Sequence, residues 1–341
     1  MRFNRAVRSS LSVLLSLTCL SLATAAAATA DKLPNLHADP ARVSVSGLSS
    51  GAFMAVQYDV AFSASVIGIG VVAGGPYNCA WVNPGGITTC MQGTPSGLAS
   101  YGSASSFATI GMVDPVARIA AQKVYLFSGT KDTVVKQSAM DAVRDFYVAA
   151  GVPAAQLSYI NNTTAGHAFI SGNFGNDCST NATPYVNECK LGTTLYDQPG
   201  AILAHIYGKL SAKSATLSAQ PVPFDQSEFP GAIGSGMAPQ GYLYVPANCN
   251  QTGARCAVHV VFHGCAQSAD AVGDAVYSKL GYNQWADANR IILLYPQVNK
   301  STFPVNPMGC WDWWGYSGLN FQTQSGAQLS VIRAMVQRLT S

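Results

Sequence analysis

The sequence predicts an α/β fold in which a mostly parallel central sheet is covered by helices on both faces. Two observations carry that reading. Short apolar runs rich in β-branched residues alternate along the chain with stretches of helical period. Of the 341 residues, 48% are hydrophobic and only 10% charged, while the 32 glycines and 17 prolines are dispersed without a period. That composition suits a chain with a large core and excludes collagen, coiled coil and disorder.

Taken in order, Arg42 to Ser46 alternates as a strand does, and Ala52 to Phe62 places its apolar residues at helical spacing. Val66 to Ala73 and Lys123 to Ser128 are apolar runs of the kind that fill a buried sheet. Ser138 to Ala150 is helical in period and stops at Gly151 with Pro153 beyond; Gln156 to Ile160 then returns to strand, completing a β-α-β order. Ala201 to Leu210 predicts a helix, and Ser211 to Gly241, rich in Ser, Gly, Pro and Ala, reads as a connection or long surface loop. Strands are expected at Tyr242 to Val245, Cys256 to Phe262 and Ile291 to Tyr295. A helix is expected within Asp270 to Asn289 and a last one from Gln328 to Leu339.

Residues 1–30 read as a secretory signal peptide and 31–341 as a single domain. Arg2, Arg5 and Arg8 precede an apolar stretch from Leu11 to Leu22, and Ala23 to Ala30 offers several A-x-A cleavage points. That apolar stretch is too short to span a bilayer, and no later segment qualifies. The formal charge of +3 arises from 19 basic and 16 acidic residues, and the leader holds three of the arginines and no acid. The remainder is neutral, with no Lys/Arg run to bind phosphate backbones or anionic lipid. Neither nucleic acid nor membrane is expected as a partner, and a monomer is expected.

Beyond Cys19 in the leader, the cysteines are Cys79, Cys90, Cys178, Cys189, Cys249, Cys256, Cys265 and Cys310. An even number in an exported chain predicts four disulfides, although spacing leaves the connectivity open. Cys79 with Cys90, Cys178 with Cys189 and Cys249 with Cys256 are close neighbours, and Cys265 and Cys310 remain. C-x-x-C pairs and clustered histidines are lacking, so no metal or other cofactor is expected.

Gly47-Leu48-Ser49-Ser50-Gly51 fits G-x-S-x-G and stands between a predicted strand and a predicted helix, the context a nucleophile elbow requires. A nucleophilic Ser49 needs a base. His37 lies in an irregular stretch, His205 within a helical period, and His259 in a strand that leads to His263. His167, in a polar loop after a strand, is the best candidate, and Asp132 follows its own strand within a few residues; sites in such sheets form at the carboxyl ends of strands. Asp114 and Asp177 are weaker candidates for the acid. The chain order Ser49, Asp132, His167 matches the α/β-hydrolases. A base of this kind predicts activity that rises with pH as the imidazole loses its proton.

One oxyanion donor is expected from the Ser50 backbone N–H. The other normally comes from an H-G loop that precedes the nucleophile, yet here Val260 to Phe262 runs into His263-Gly264-Cys265, more than two hundred residues later. A circular permutation, which close termini permit, accounts for the displacement.

Together with Ala73-Gly74-Gly75-Pro76-Tyr77, Phe262-His263-Gly264-Cys265-Ala266-Gln267 and Cys310-Trp311-Asp312-Trp313, the elbow resembles the single-domain, circularly permuted polyhydroxybutyrate depolymerases, over nearly the whole of 31–341. The resemblance implies a Ser49, Asp132, His167 triad, an oxyanion hole of the Ser50 and Cys265 N–H groups, and a Cys265–Cys310 disulfide. It also implies hydrolysis of poly(3-hydroxybutyrate) or its oligomers. Trp311 and Trp313 are assigned to substrate binding within an aromatic cluster that includes Trp314 and Tyr316, with a buried aromatic core as the competing reading. The same triad would also serve an esterase for polylactide, another aliphatic polyester, feruloyl or acetyl-xylan esters. A non-catalytic binding protein on the same fold is the remote alternative.

Overall fold

The computed structural model describes residues 1, 2 and 30–341; the expected signal peptide lies almost wholly outside the described residues. The central sheet has eight strands: β1 (Val43–Leu48), β2 (Val66–Val72), β3 (Lys123–Phe127), β4 (Leu157–Ile160), β5 (Val222–Asp225), β6 (Gln240–Tyr244), β7 (Ala257–Phe262) and β8 (Ile291–Tyr295). Their spatial order is β5-β6-β8-β7-β1-β2-β3-β4. Pairing is parallel except at β5/β6 and β6/β8. The longer helices are α1 (Ser50–Ala61), α2 (Gly97–Thr109), α3 (Gln137–Ala149), α4 (Gln198–Tyr207), α5 (Tyr282–Asn289) and α6 (Ala327–Thr340).

The period of two along the strands sorts their side chains onto two faces. Val45, Ile69, Val124, Val260 and Leu294 pack against α1, α3 and α6. Val72, Tyr125, Val261, Leu293 and Tyr295 face the opposite side, against α4 and α5. Each fully buried aliphatic or aromatic side chain contributes about 1.5–3 kcal/mol by leaving water, so both faces must be covered for the sheet to persist.

Topology explains the displaced oxyanion segment. The first four strands fill one half of the sheet in chain order, the last four fill the other, and β1 at the centre pairs with β7 so that Gly47 lies opposite Phe262. The loops after β1 and β7 therefore emerge side by side. Ala38 N–H donates to Leu339 O at 2.9 Å, which sets the start of the folded chain beside its last helix, the proximity a permuted connection needs.

Some sequence expectations change. The supposed connection 211–241 contains β5, an edge strand whose Pro223 a central strand would not accept and whose Phe224 is buried. The weakly amphipathic α2 escaped notice because it is built from Gly, Ala and Ser. The helix expected within Asp270 to Asn289 is broken into three pieces by Gly273 and Gly281, both with positive φ. The polar residues of β1 do not face water. Ser44 and Ser46 are buried and hydrogen-bond the two ring nitrogens of His259 at 2.6 and 2.8 Å, while Tyr207 and Tyr282 hydroxyls complete the cluster. Burial pushes the His259 pKa down to about 3, so it is a neutral spacer in the sheet.

Candidate active site

The G-x-S-x-G turn is dictated by close approach of backbones. Ser49 has φ 57° and ψ −124°, a strained conformation for a residue with a side chain. Its N–H donates to Val72 O at 3.0 Å, and its carbonyl accepts from Ala52 and Phe53 N–H at 2.9 and 3.0 Å as α1 begins. A Cβ on Gly47 would lie 2.2 Å from Gly51 O, and one on Gly51 would lie 2.3 Å from His263 O. Side chains at either position would force α1 off β1 and off the end of β7. Gly264 packs on the other side at ordinary contact distance, since a Cβ there would lie 3.4 Å from Ser49 Cβ. The H-G loop thus lies against Ser49.

That loop is held from several directions. Gly264 N–H donates to Gln267 Oε1 at 2.7 Å, and the Gln267 amide donates to Pro184 O and Tyr185 O at 2.9 and 3.0 Å. His263 donates from Nδ1 to Gly264 O at 2.7 Å and accepts the Val298 N–H on Nε2 at 3.1 Å. Burial pushes its pKa down to about 4, which keeps the neutral tautomer this pattern requires. The Cys265–Cys310 disulfide spans 45 residues and ties the loop to the tryptophan segment. The Ser50 and Cys265 backbone N–H groups have no acceptor among the described residues. Ser50 is the first residue of α1, whose N–H no helical carbonyl can reach.

Asp132 and His167 are joined directly: His167 Nδ1 lies 2.8 Å from Asp132 Oδ2, with both side chains almost wholly buried. The other carboxylate oxygen accepts the Val134 and Val135 N–H groups, each at 2.8 Å, so the acid cannot rotate away. A carboxylate accepts, so Nδ1 carries the proton and Nε2 is left as the basic atom. The Ser49 hydroxyl has no hydrogen-bond partner among the described residues. Asp114 instead caps the Ala64 N–H, Asp177 is an exposed residue of a short strand with no hydrogen bond to His167, and His205 bonds Gln156 O.

All four cysteine pairs are bonded: Cys79–Cys90, Cys178–Cys189, Cys249–Cys256 and Cys265–Cys310. The tryptophans require a correction. Trp311 is completely buried, packed edge-on against Phe262 at 5.1 Å, and cannot meet a polymer. Trp313 is 3% exposed and stacks on Phe53, one turn beyond Ser49, at 4.0 Å. The alternating C-W-D-W pattern conceals the cause, which is Asp312. Its buried carboxylate accepts N–H groups from Trp314, Gly315, Tyr316 and Ser317, curling the segment so that Trp314 is the partly exposed indole. Trp311 N–H donates to Ser50 Oγ at 3.3 Å, which seats this curl against the elbow. An open groove of about 710 Å³ beside it, walled by Trp81, Phe107 and Leu319, contains none of the triad. Asp312, Gln267 and Asn181 were not singled out by sequence reasoning. Gln267 and Asp312 lie within motifs quoted above, and Asn181 within an N-x-T sequon.

Among the described residues no cluster of His, Cys, Asp and Glu could hold a metal ion, and no helix is long and apolar enough to cross a membrane.

No protein-family profile matches the chain. It is 44% identical over 316 residues to a poly(3-hydroxybutyrate) depolymerase of Delftia acidovorans, covering 91% of this chain but 62% of that longer protein. It is 37% identical over 332 residues to a polyhydroxybutyrate depolymerase of Talaromyces funiculosus, covering 93% of this chain and 95% of that one. Among solved structures, the PHB depolymerase from Penicillium funiculosum matches with a TM-score of 0.83 at 36% identity, covering 91% of this chain and 98% of that one. A serine-to-alanine PHB depolymerase complexed with an R3HB trimer matches with a TM-score of 0.84, also at 36% identity and over the same shares.

Proposed function

The chain belongs to the polyhydroxybutyrate depolymerases, and from that premise we propose that it is a secreted serine esterase that hydrolyses poly(3-hydroxybutyrate) and its oligomers. The observation that carries the chemistry is the 2.8 Å bond between buried His167 and Asp132, at the same edge of the sheet as the Ser49 elbow.

His167 Nε2 takes the Ser49 hydroxyl proton as Oγ attacks the ester carbonyl. The tetrahedral oxyanion accepts the Ser50 and Cys265 N–H groups, two donors without other acceptors, each worth about 3 kcal/mol at the transition state. Collapse expels the hydroxyl end of the leaving chain, protonated by His167, and leaves an acyl-Ser49. A water deprotonated by the same imidazole then releases the hydroxyacid and restores the serine. Rigid donors suit this reaction because their orientation is set by folding before charge develops. Export is supported by the four disulfides, which an oxidising compartment maintains. A monomer acting on chain ends or loops at a polyester surface needs no partner protein, and Trp314 and Tyr316 are the aromatics of their segment with surface to offer.

The test is acid release from amorphous poly(3-hydroxybutyrate) by the purified chain, with Ser49→Ala as control. Release that falls on the order of a million-fold in the variant is expected. Ser49-dependent cleavage of short aryl esters with untouched polymer would keep the triad and overturn the substrate. A variant as active as the parent would overturn the mechanism.

A further inference from the structure

Three loops meet behind His167, and one side chain joins them. The Asn181 carboxamide oxygen accepts the His167 N–H at 2.8 Å and the Thr133 N–H at 3.1 Å. Its nitrogen donates to Lys131 O at 3.0 Å and Ser179 O at 3.2 Å. A single amide therefore holds the backbone on both sides of Asp132 and the backbone of His167 itself.

The segment that carries Asn181 is rigid for reasons independent of that amide. Cys178 is disulfide-bonded to Cys189. The buried Asn187 donates from its amide to Cys178 O at 2.9 Å and Thr180 O at 2.8 Å. Gly166, just before His167, donates to Cys178 O at 2.8 Å and lies so near that a Cβ there would meet Thr180 O at 2.2 Å. The acid and base loops also touch directly, through Lys131 N–H to Ala165 O at 3.0 Å, but that bond leaves the His167 N–H itself without a fixed direction.

We propose that Asn181 is a positioning residue for the hydrolysis, setting the separation and mutual angle of the Asp132 and His167 loops through their backbones without touching substrate. The proposal rests on the reading of Asp132 and His167 as the acid and base. Losing the amide leaves two N–H groups near the site without their acceptor and lets the imidazole drift from the line to Ser49. Displacements of about 1 Å cost on the order of a hundredfold in such reactions. Ground-state binding of the ester, made elsewhere, does not change.

The experiment compares Asn181→Ala and Asn181→Asp with the parent on a soluble aryl ester, after thermal denaturation establishes that each is folded at the assay temperature. Asn181→Ala is expected to lower kcat by about 10- to 100-fold with KM within about twofold of the parent. Asn181→Asp, which keeps both acceptor bonds and loses both donor bonds, is expected to lie between them, and it decides the matter if the alanine variant does not fold. A parental kcat in either folded variant, a loss confined to KM, or an aspartate variant no better than alanine would overturn the proposal. Ser49→Ala, run alongside, tests the underlying serine mechanism separately: its failure to abolish cleavage would strike that reading, whatever Asn181 does.

Discussion

The two halves of the proposed catalytic machinery are built by different means. The nucleophile half is a local device: within five residues, two glycines let β1, α1 and the end of β7 touch, and the turn follows from steric contact between backbones. The acid–base half is assembled from three loops that lie between residues 131 and 181, held by side-chain carboxamides and carboxylates bonded to backbone. Contact between backbones tolerates no added atom, whereas a polar lattice can lose one bond and still fold, with its groups slightly displaced. Side chains added at the two glycines of the first half should therefore damage folding, and loss of single bonds in the second should damage rate.

The largest effect that sharpens this contrast after Ser49→Ala is Asp132→Asn. It keeps the shape and the backbone bonds but favours the wrong imidazole tautomer. A fall in kcat of about ten-thousandfold is expected with little change in unfolding midpoint; a midpoint that drops sharply would show that the acid–base half is also structural. The Cys265–Cys310 bridge joins oxyanion loop to aromatic segment across 45 residues. Replacing both cysteines by serine is expected to cost about 4 kcal/mol in urea unfolding, by the chain-entropy relation, and to lower kcat as the Cys265 N–H loses its fixed place. Gly51→Ala should cost about 3 kcal/mol, because its Cβ collides with two carbonyls of the β7 end. Gly102→Ala in α2, where nothing lies within 4 Å, is the control and should instead gain about 0.5–1 kcal/mol. Equal effects at the two glycines would break the comparison.

A last effect concerns the link between the halves. Asp59 on α1 accepts the Tyr147 hydroxyl of α3 at 2.8 Å. Burial, opposed by the bond from Tyr147, pushes its pKa up to about 7. Its Oδ1 and Gln122 Oε1 both lack partners, which a proton on Asp59 would supply. The unfolded chain gives up this proton above pH of about 4 while the folded chain keeps it to about 7, so the unfolded state binds fewer protons in that window. Stability should fall as pH rises from about 4 to about 7. Asp59→Asn, with a permanent donor for Gln122, should flatten that slope in urea unfolding measured across the window; an unchanged slope would remove Asp59 as its source.

The elbow was legible because its glycine spacing stands between a strand pattern and a helix pattern. Gly47 is required by contact with Gly51 inside the turn itself, while Gly51 is required by the end of β7, which the motif does not reveal. His167 and Asp132 could be nominated by elimination and by their places after strands, yet their bond depends on loops that Asn181 and the Cys178–Cys189 hairpin bring together, and no spacing encodes that meeting. β5 stayed hidden because an edge strand with a proline lacks the apolar run of a buried one. Which tryptophans face the core stayed open because an indole in the run from Cys310 to Trp314 looks the same in sequence whether it faces solvent or core.

By itself, then, the sequence determined the α/β class, the cysteine inventory, the nucleophile turn and, through several motifs in permuted order, the family resemblance. These are short-range patterns of hydrophobicity and steric need. Only the tertiary structure decided which carbonyls Asn181 holds, that the β7 loop lies against Ser49, and which indoles are spent on the core. Those outcomes depend on the pairing of β1 with β7 and the packing of both sheet faces, interactions between residues far apart in the chain whose partners are chosen only when the whole sheet closes.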